Sequence, residues 1–319
     1  MVPVPDRVFS HALSAVVRRL VQGLTAAWVA VTLTFFSLRV AAGDPLAGLL
    51  AQGLASPEQA DALRRSLGLD RPLGEQYVRF LAGLPRGDFG RSLFTGRPVT
   101  EIVGEQFPHS MALGASAFAV GLLLGAALGI AAGWARSRWA ARAAEGAAVL
   151  STSLPVAFTA VVALWILGRA PSEATNLLAG GAGGLFLPAL VLGFASSGAI
   201  AKVIGAGLRE SRGAPFFLAA RARGIGRGPR LLWHALRPIL GTALSLAALE
   251  AAFLFGGTVI TETVFARPGL GRLLVGSILQ GDYPVAQGVV VLAALIYTLT
   301  QIVGDLAVQW TDPRWRAGA

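Results

Sequence analysis

Glu250 is the residue of this chain best placed to act on a charged solute, because it stands in the middle of a long apolar stretch. A carboxylate in hydrocarbon is costly and points to function, here the attraction of a cationic solute. The equal alternative is a protonated or hydrogen-bonded Glu that ties two helices together. Thr258 follows two turns on, after Gly256 and Gly257, and Glu262 falls at the end of the same stretch, where it is expected to be solvated. Glu250, Thr258 and Glu262 are therefore the candidates for lining a solute pathway. Asp305, near the end of the last apolar stretch, is expected to pair with neighbouring arginines.

Covalent chemistry has far less to work with. Cysteine is absent, which excludes disulfides and thiolate metal sites. The three histidines, His11, His109 and His234, all avoid the centres of the apolar stretches, so Ser116 or Ser151 would lack a general base. The single lysine, Lys202, precedes Val203 and Ile204 and cannot complete a phosphate-cradling loop ending in Gly-Lys-Ser/Thr. No catalytic residue, metal site or cofactor is expected on the chain itself. If ATP powers its work, another chain must bind the nucleotide.

The elements that carry these residues are membrane spans. The 319 residues are 54% hydrophobic and 14% charged, against about 25% charged for a soluble domain. A spanning helix needs about 20 apolar residues, and six stretches qualify, at 16–38, 109–133, 146–168, 184–204, 239–261 and 285–309. The run from Leu20 to Leu38 is longer than a signal-peptide core of about 7–15 residues and reads as an uncleaved first span. Arg7, Arg18, Arg19, Arg314 and Arg316 place both termini in the cytoplasm. The net charge of +10 is then one-sided, with sixteen basic and four acidic residues on the cytoplasmic side and a balanced outer side. That placement argues against a nucleic-acid partner, which would need a soluble basic face. The chain reads as one transmembrane domain over 1–319.

Between spans one and two lies an outer segment, about 39–108, long enough to hold helices. Ser56-Pro57-Glu58-Gln59 predicts a capping box, with the helix stopping at Gly68, and a second helix starts near Pro72 and carries Leu73, Tyr77, Phe80, Leu81 and Leu84. Span two spaces Gly121, Gly125, Gly129 and Gly133 four residues apart, a face suited to close helix packing more than to a hinge. Gly180 to Gly184 form a short glycine-rich outer loop. Neither inverted repeats nor helices broken at mid-depth are expected.

The remaining signal is a basic loop at about 205–238. It runs Ala214-Pro215-Phe216-Phe217-Leu218-Ala219-Ala220-Arg221-Ala222-Arg223-Gly224, then His234-Ala235-Leu236-Arg237-Pro238. Arginines flanking a span belong in the cytoplasm. Ala219 and Ala220 suit a short helix that another surface approaches closely, with Gly224 as a left-handed stop and Phe216-Phe217 as an apolar knob. Downstream come Thr261-Glu262-Thr263-Val264-Phe265, Pro268-Gly269-Leu270-Gly271-Arg272, Asp282-Tyr283-Pro284 and Asp312-Pro313-Arg314; upstream stand Gly43-Asp44-Pro45, Gly87-Asp88-Phe89-Gly90-Arg91-Ser92 and Thr95-Gly96-Arg97-Pro98-Val99. In this order and spacing, over nearly the whole chain, the motifs resemble the permeases of the dipeptide, oligopeptide and nickel ABC importers.

The resemblance implies an all-α, polytopic type I ABC importer permease of the bacterial inner membrane with six spans. Residues Pro215, Phe216, Phe217, Ala219, Ala220, Arg221, Arg223 and Gly224 would form the ATPase-coupling ("EAA") loop, with Leu218 where the family has Glu and Glu250 where it has Gln. It further implies a second homologous permease subunit, two ABC ATPase subunits that hold ATP and Mg, and an extracytoplasmic solute-binding protein. The cargo would be a peptide, a nickel or metal chelate, or a similar small solute, moved by alternating access. The alternative is a secondary transporter driven by an ion gradient, with Glu250 or Asp305 as its ion site.

Overall fold

The computed structural model describes residues 6–41, 46, 50, 53, 56–66, 68–169 and 184–311. Within the helices, the side chains of 6–16, 19, 41, 63, 66, 305 and 307–311 are outside that description. The readings made on Gly43-Asp44-Pro45, Gly180 to Gly183, Asp312-Pro313-Arg314 and the side chain of Asp305 lie there too.

The elements in order are α1 (Asp6–Ala41), α2 (Pro57–Ser66), α3 (Leu73–Gly83), α4 (Val99–Trp134), α5 (Arg138–Ser153), α6 (Val156–Leu167), α7 (Phe186–Gly213), α8 (Pro215–Ala222), α9 (Leu240–Val264), α10 (Leu270–Gln280) and α11 (Tyr283–Thr311). No strand forms among the described residues, only an isolated bridge between Arg91 and Pro98. Five helices are long and apolar enough to cross a membrane, and α5 with α6 adds a sixth if that pair crosses once. Such helices satisfy their backbone groups internally, as hydrocarbon requires. Their outward apolar side chains include Leu33, Leu123, Phe253 and Val303, each more than 60% exposed.

The expectation that no helix is broken is corrected by the structure at the third span. Residues 146–168 do not form one straight helix, because α5 and α6 meet at 109°. The cause is Pro155, which has no N–H and pushes the residue before it out of the helical region. Leu154 is accordingly extended, at φ −88° and ψ 126°.

The chain forms two compact units. One contains 1–20, 111–267 and 299–319; the other contains 21–110 and 268–298. In the first, α7 is the central helix and packs on α5, α6, α8 and α9. The glycine face of α4 lies against it. A Cβ on Gly125 would meet the Ser197 carbonyl at 2.7 Å, one on Gly129 would meet Ile204 Cβ at 2.7 Å, and one on Gly133 would meet Leu208 Cβ at 2.7 Å. Those three contacts, with Gly121 against Ser196, show that the stripe serves packing.

In the second unit the outer segment is built as the caps foretell. Ser56 Oγ accepts from the Gln59 N–H at 3.2 Å, and Gln59 Oε1 accepts from the Ser56 N–H at 2.9 Å. Gly68 has φ +66°. Helix α3 sets Tyr77 and Phe80 against Phe35, with ring centroids 5.2 and 5.8 Å away, and the Tyr77 hydroxyl meets Thr32 Oγ1 at 2.6 Å.

Two substitutions on α4 separate packing from helix propensity. Gly129→Ala forces a methyl into a contact that has no room and is expected to lower thermal stability in detergent, by about 1–3 kcal/mol. Gly104→Ala on the same helix meets nothing within 4 Å and should leave stability equal or higher, by up to about 1 kcal/mol. Equal effects at the two positions would contradict the packing role of the stripe.

Candidate functional site

The candidate site is the segment that follows α7. Pro215 takes the first position of α8, where a missing N–H costs nothing. The helix ends in a double hydrogen bond: the Gly224 N–H donates to Arg221 O at 3.1 Å and the Ile225 N–H to Ala220 O at 3.2 Å. This is the Schellman pattern, and it needs a residue in the left-handed region at the turn. Gly224 supplies it at φ +73°.

The two phenylalanines part company. Phe217 is buried with Ala220 one turn on, in a cluster with Ile200, Ile204, Leu208 and Ala235, and it meets Trp134 edge-on at 5.7 Å. The expected Phe216-Phe217 knob is corrected in this respect: Phe217 anchors the helix. Phe216 and Leu218 are 48% and 52% exposed and form the outward apolar pair, beside exposed Pro215, Ala219, Arg221 and Arg223. A helix of eight residues has one inner face, and the adjacent position points elsewhere by about 100°. The Phe217–Ala220 spacing was the available sign of that face.

Beyond α8 the chain forms a π-helical segment, Arg230–Leu236, which feeds through Arg237–Ile239 into α9. Pro238 cannot donate a helical hydrogen bond, so the turn before it is free to widen. The Ala235 carbonyl accepts from Ser211 Oγ at 3.3 Å, which ties this segment to α7.

The pathway candidates lie along α9. Ala247, Leu254, Thr258, Thr261 and Glu262 are its buried positions at helical spacing. Glu250 flanks that stripe, half-buried, and no described side chain donates to it. Thr258 is 3% exposed and donates its hydroxyl to Phe255 O at 2.8 Å, within its own helix. Glu262 is corrected: it is fully buried, not solvated. It belongs to the stripe of Leu254 and Thr258, a periodicity that its position at the end of the span concealed. Buried Arg267 is its charge neighbour, and its backbone N–H donates to Glu262 O at 2.8 Å. Burial lowers the Arg267 guanidinium from its ordinary value while the Glu262 charge works in the other direction.

In the second unit the Gly87–Ser92 and Asp282–Pro284 motifs meet, a pairing across 190 residues that sequence spacing alone does not reveal. Asp282 Oδ2 accepts from Ser92 Oγ at 2.5 Å, and Oδ1 accepts from the Leu93 N–H at 3.1 Å. Its carboxylate also accepts from the Val285 N–H at the start of α11, and burial still leaves the group above its ordinary value. Ser110 Oγ accepts from the Leu270 N–H at 2.7 Å, so Ser110 caps α10. No group of three or more metal-ligating side chains occurs among the described residues.

Two comparisons bear on this arrangement. Residues 125–317 match the family described as binding-protein-dependent transport system inner membrane component, and residues 12–114 match its N-terminal part. Similar proteins include a putative peptide transport system permease protein from Brucella abortus, 31% identical over 309 residues, covering 94% of this chain and 98% of that one. A glutathione transport system permease protein from Salmonella paratyphi A is 32% identical over 308 residues, covering 95% and 99%. A probable peptide ABC transporter permease protein from Sinorhizobium fredii is 30% identical over 309 residues, covering 94% and 98%.

The helix stops supply a reciprocal test. Ala266 makes a left-handed turn of the same kind without a glycine, at φ 51°, with the Arg267 N–H returning to Glu262 O. Gly224→Ala should cost about 1–2 kcal/mol of local helix stability, whereas Ala266→Gly should relieve a similar strain. Thermal melts of both variants check this, and a destabilised Ala266→Gly would contradict the strain argument.

Proposed function

The chain belongs to the binding-protein-dependent transport system inner membrane components, and on that premise we propose that it is the transmembrane subunit of an ATP-driven importer of short peptides. The relatives' names, peptide and glutathione transport, favour a peptide over the nickel or metal chelate that the wider family also takes. A solute-binding protein delivers the peptide from outside. A second permease completes the pathway, and two ATPase subunits hold ATP and Mg. Both termini and residues 205–238 face the cytoplasm, as the arginine excess directs.

The observation that carries the coupling role is α8. It is short, begins at Pro215, is closed by the left-handed turn at Gly224, is anchored by Phe217 to α7 and Trp134, and faces outward with Phe216 and Leu218. A helix held this way passes a push on its outer face to the span ends rather than folding away. Closure of the ATPase pair would tilt the spans through it and switch a central cavity between outward and inward access. Glu250, half-buried with no described donor, is the pathway group expected to attract the peptide amine.

The break at Leu154-Pro155 is the feature that a gradient-driven transporter would share. Two of the hydroxyls beside it, those of Ser151 and Thr152, are engaged. Ser151 donates to Ala148 O at 3.1 Å, Lys202 Nζ donates to Thr152 Oγ1 at 2.7 Å, and nearby Glu145 pairs with Arg209 at 2.7 Å. Family membership and the absence of a spare carboxylate at the described break favour the ATP-driven reading.

Two experiments test this. In the reconstituted complex, Phe216→Ala with Leu218→Ala should insert normally, yet lose most uptake and most ATPase stimulation by the binding protein. Unchanged uptake and stimulation would remove α8 from the coupling role. In intact cells, a Gly228→Cys variant of the cysteine-free chain should resist an impermeant thiol reagent from outside and react after the membrane is opened. Labelling from outside would overturn the orientation.

A further inference from the structure

Beside α8 the first unit contains a cavity of about 530 Å³ whose charged lining is five arginines, Arg136, Arg212, Arg221, Arg227 and Arg230, grouped around Trp134. No carboxylate of the described residues lines it. The α4 C-terminus accounts for part of the cluster. Arg212 Nη1 donates to Gly133 O at 3.1 Å, and Arg227 Nη2 donates to Trp134 O, where the helix dipole favours cations. The rest is not accounted for. The charges of Arg136, Arg212 and Arg230 all bear on Arg227, and Arg230 Nε is buried with no hydrogen-bond partner. Each guanidinium has five N–H donors in a fork that matches a phosphate. The cluster is therefore a surplus of donors and positive charge that an oxyanion would complete.

Its place in the unit indicates the source of the oxyanion. The lining comes from α8 and from the ends of three candidate spans: the end of α4 with Arg136 just beyond it, the last turn of α7 and the first turns of the helical segment Arg227–Val264. Exposed Trp139, Leu232 and Trp233, at 79%, 60% and 64%, flank it in sequence. Tryptophans beside arginines at span ends mark the headgroup layer of a membrane. We propose that this cavity binds the phosphate of an anionic phospholipid headgroup, with Arg136, Arg221 and Arg230 supplying the uncommitted donors. The lipid neutralises the arginines next to the α8 anchor. The inference rests on the reading that 205–238 lies at the cytoplasmic membrane surface.

The test uses the full chain, delipidated in an uncharged detergent and without ATPase partners, so that it is read independently of coupling. Native mass spectrometry follows titration with phosphatidylglycerol and with phosphatidylcholine of the same acyl chains. Phosphatidylglycerol should bind preferentially. Arg136→Gln with Arg230→Gln should weaken it roughly thirtyfold, about fivefold for each charge removed. Arg136→Lys with Arg230→Lys should recover most of the loss, because charge is restored. Arg138→Gln with Arg142→Gln, outside the cavity, should change little. If the Gln pair does not fold, Arg136→Gln alone is read for its single factor of about five. Equal binding of the two lipids, an unaffected Gln pair, or an equal loss in the control pair would overturn the proposal. Displacement of the lipid by equimolar inorganic phosphate would overturn it in favour of a free-phosphate site. Stoichiometric displacement by the ATPase subunits would overturn it in favour of an acidic protein partner.

Discussion

The structure of the first unit depends on the closeness with which α4 lies against α7. Hydrocarbon gives two apolar helices little reason to associate, so contact must come from surfaces that fit. Four glycines spaced four apart remove every side chain from one face of α4 and let α7 reach its backbone. That contact brings Trp134 at the end of α4 to the edge of Phe217 on α8. It also brings the last carbonyls of α4 within reach of Arg212 and Arg227. The short helix is thus positioned by a packing face that begins more than two turns away.

This connects packing to transport. On the ATP-driven reading proposed above, this subunit would work by transmitting the movement of separate ATPase subunits. Transmission requires an element that presents an outer surface and has no freedom of its own. Helix α8 meets both conditions: Phe216 and Leu218 point out, Phe217 and Ala220 point in, and the left-handed turn at Gly224 ends it without strain. The π-helical segment behind it is pinned to α7 through Ser211 and Ala235.

Much of this was legible in the sequence because it rests on local rules. The apolar lengths located the spans, Ser56 and Gln59 announced a capping box, and Gly68 and Gly224 announced helix stops; all are properties of neighbouring residues. The glycine spacing on span two foretold its packing face without naming the partner helix. What was missed depends on the fold at longer range. The break in the third span needed weight on Pro155 against the twelve residues that follow it, all apolar but Thr159. The inward turn of Phe217 and the burial of Glu262 depend on which side of a helix meets its neighbours. The Ser92–Asp282 bond joins residues 190 positions apart, and no spacing rule reaches that far.

The central claim is that α8 moves as one body with the span ends. The direct measurement is the distance between spin labels at Ala219, exposed on α8, and Ala206, exposed on α7, by pulsed electron resonance in the assembled transporter. The account predicts one narrow distance distribution, unchanged between nucleotide-free and ATP-bound states, while labels across the two permease subunits change theirs. A distribution that shifts or broadens within this pair on ATP binding would contradict it, since α8 would then move independently of the spans it is held to drive.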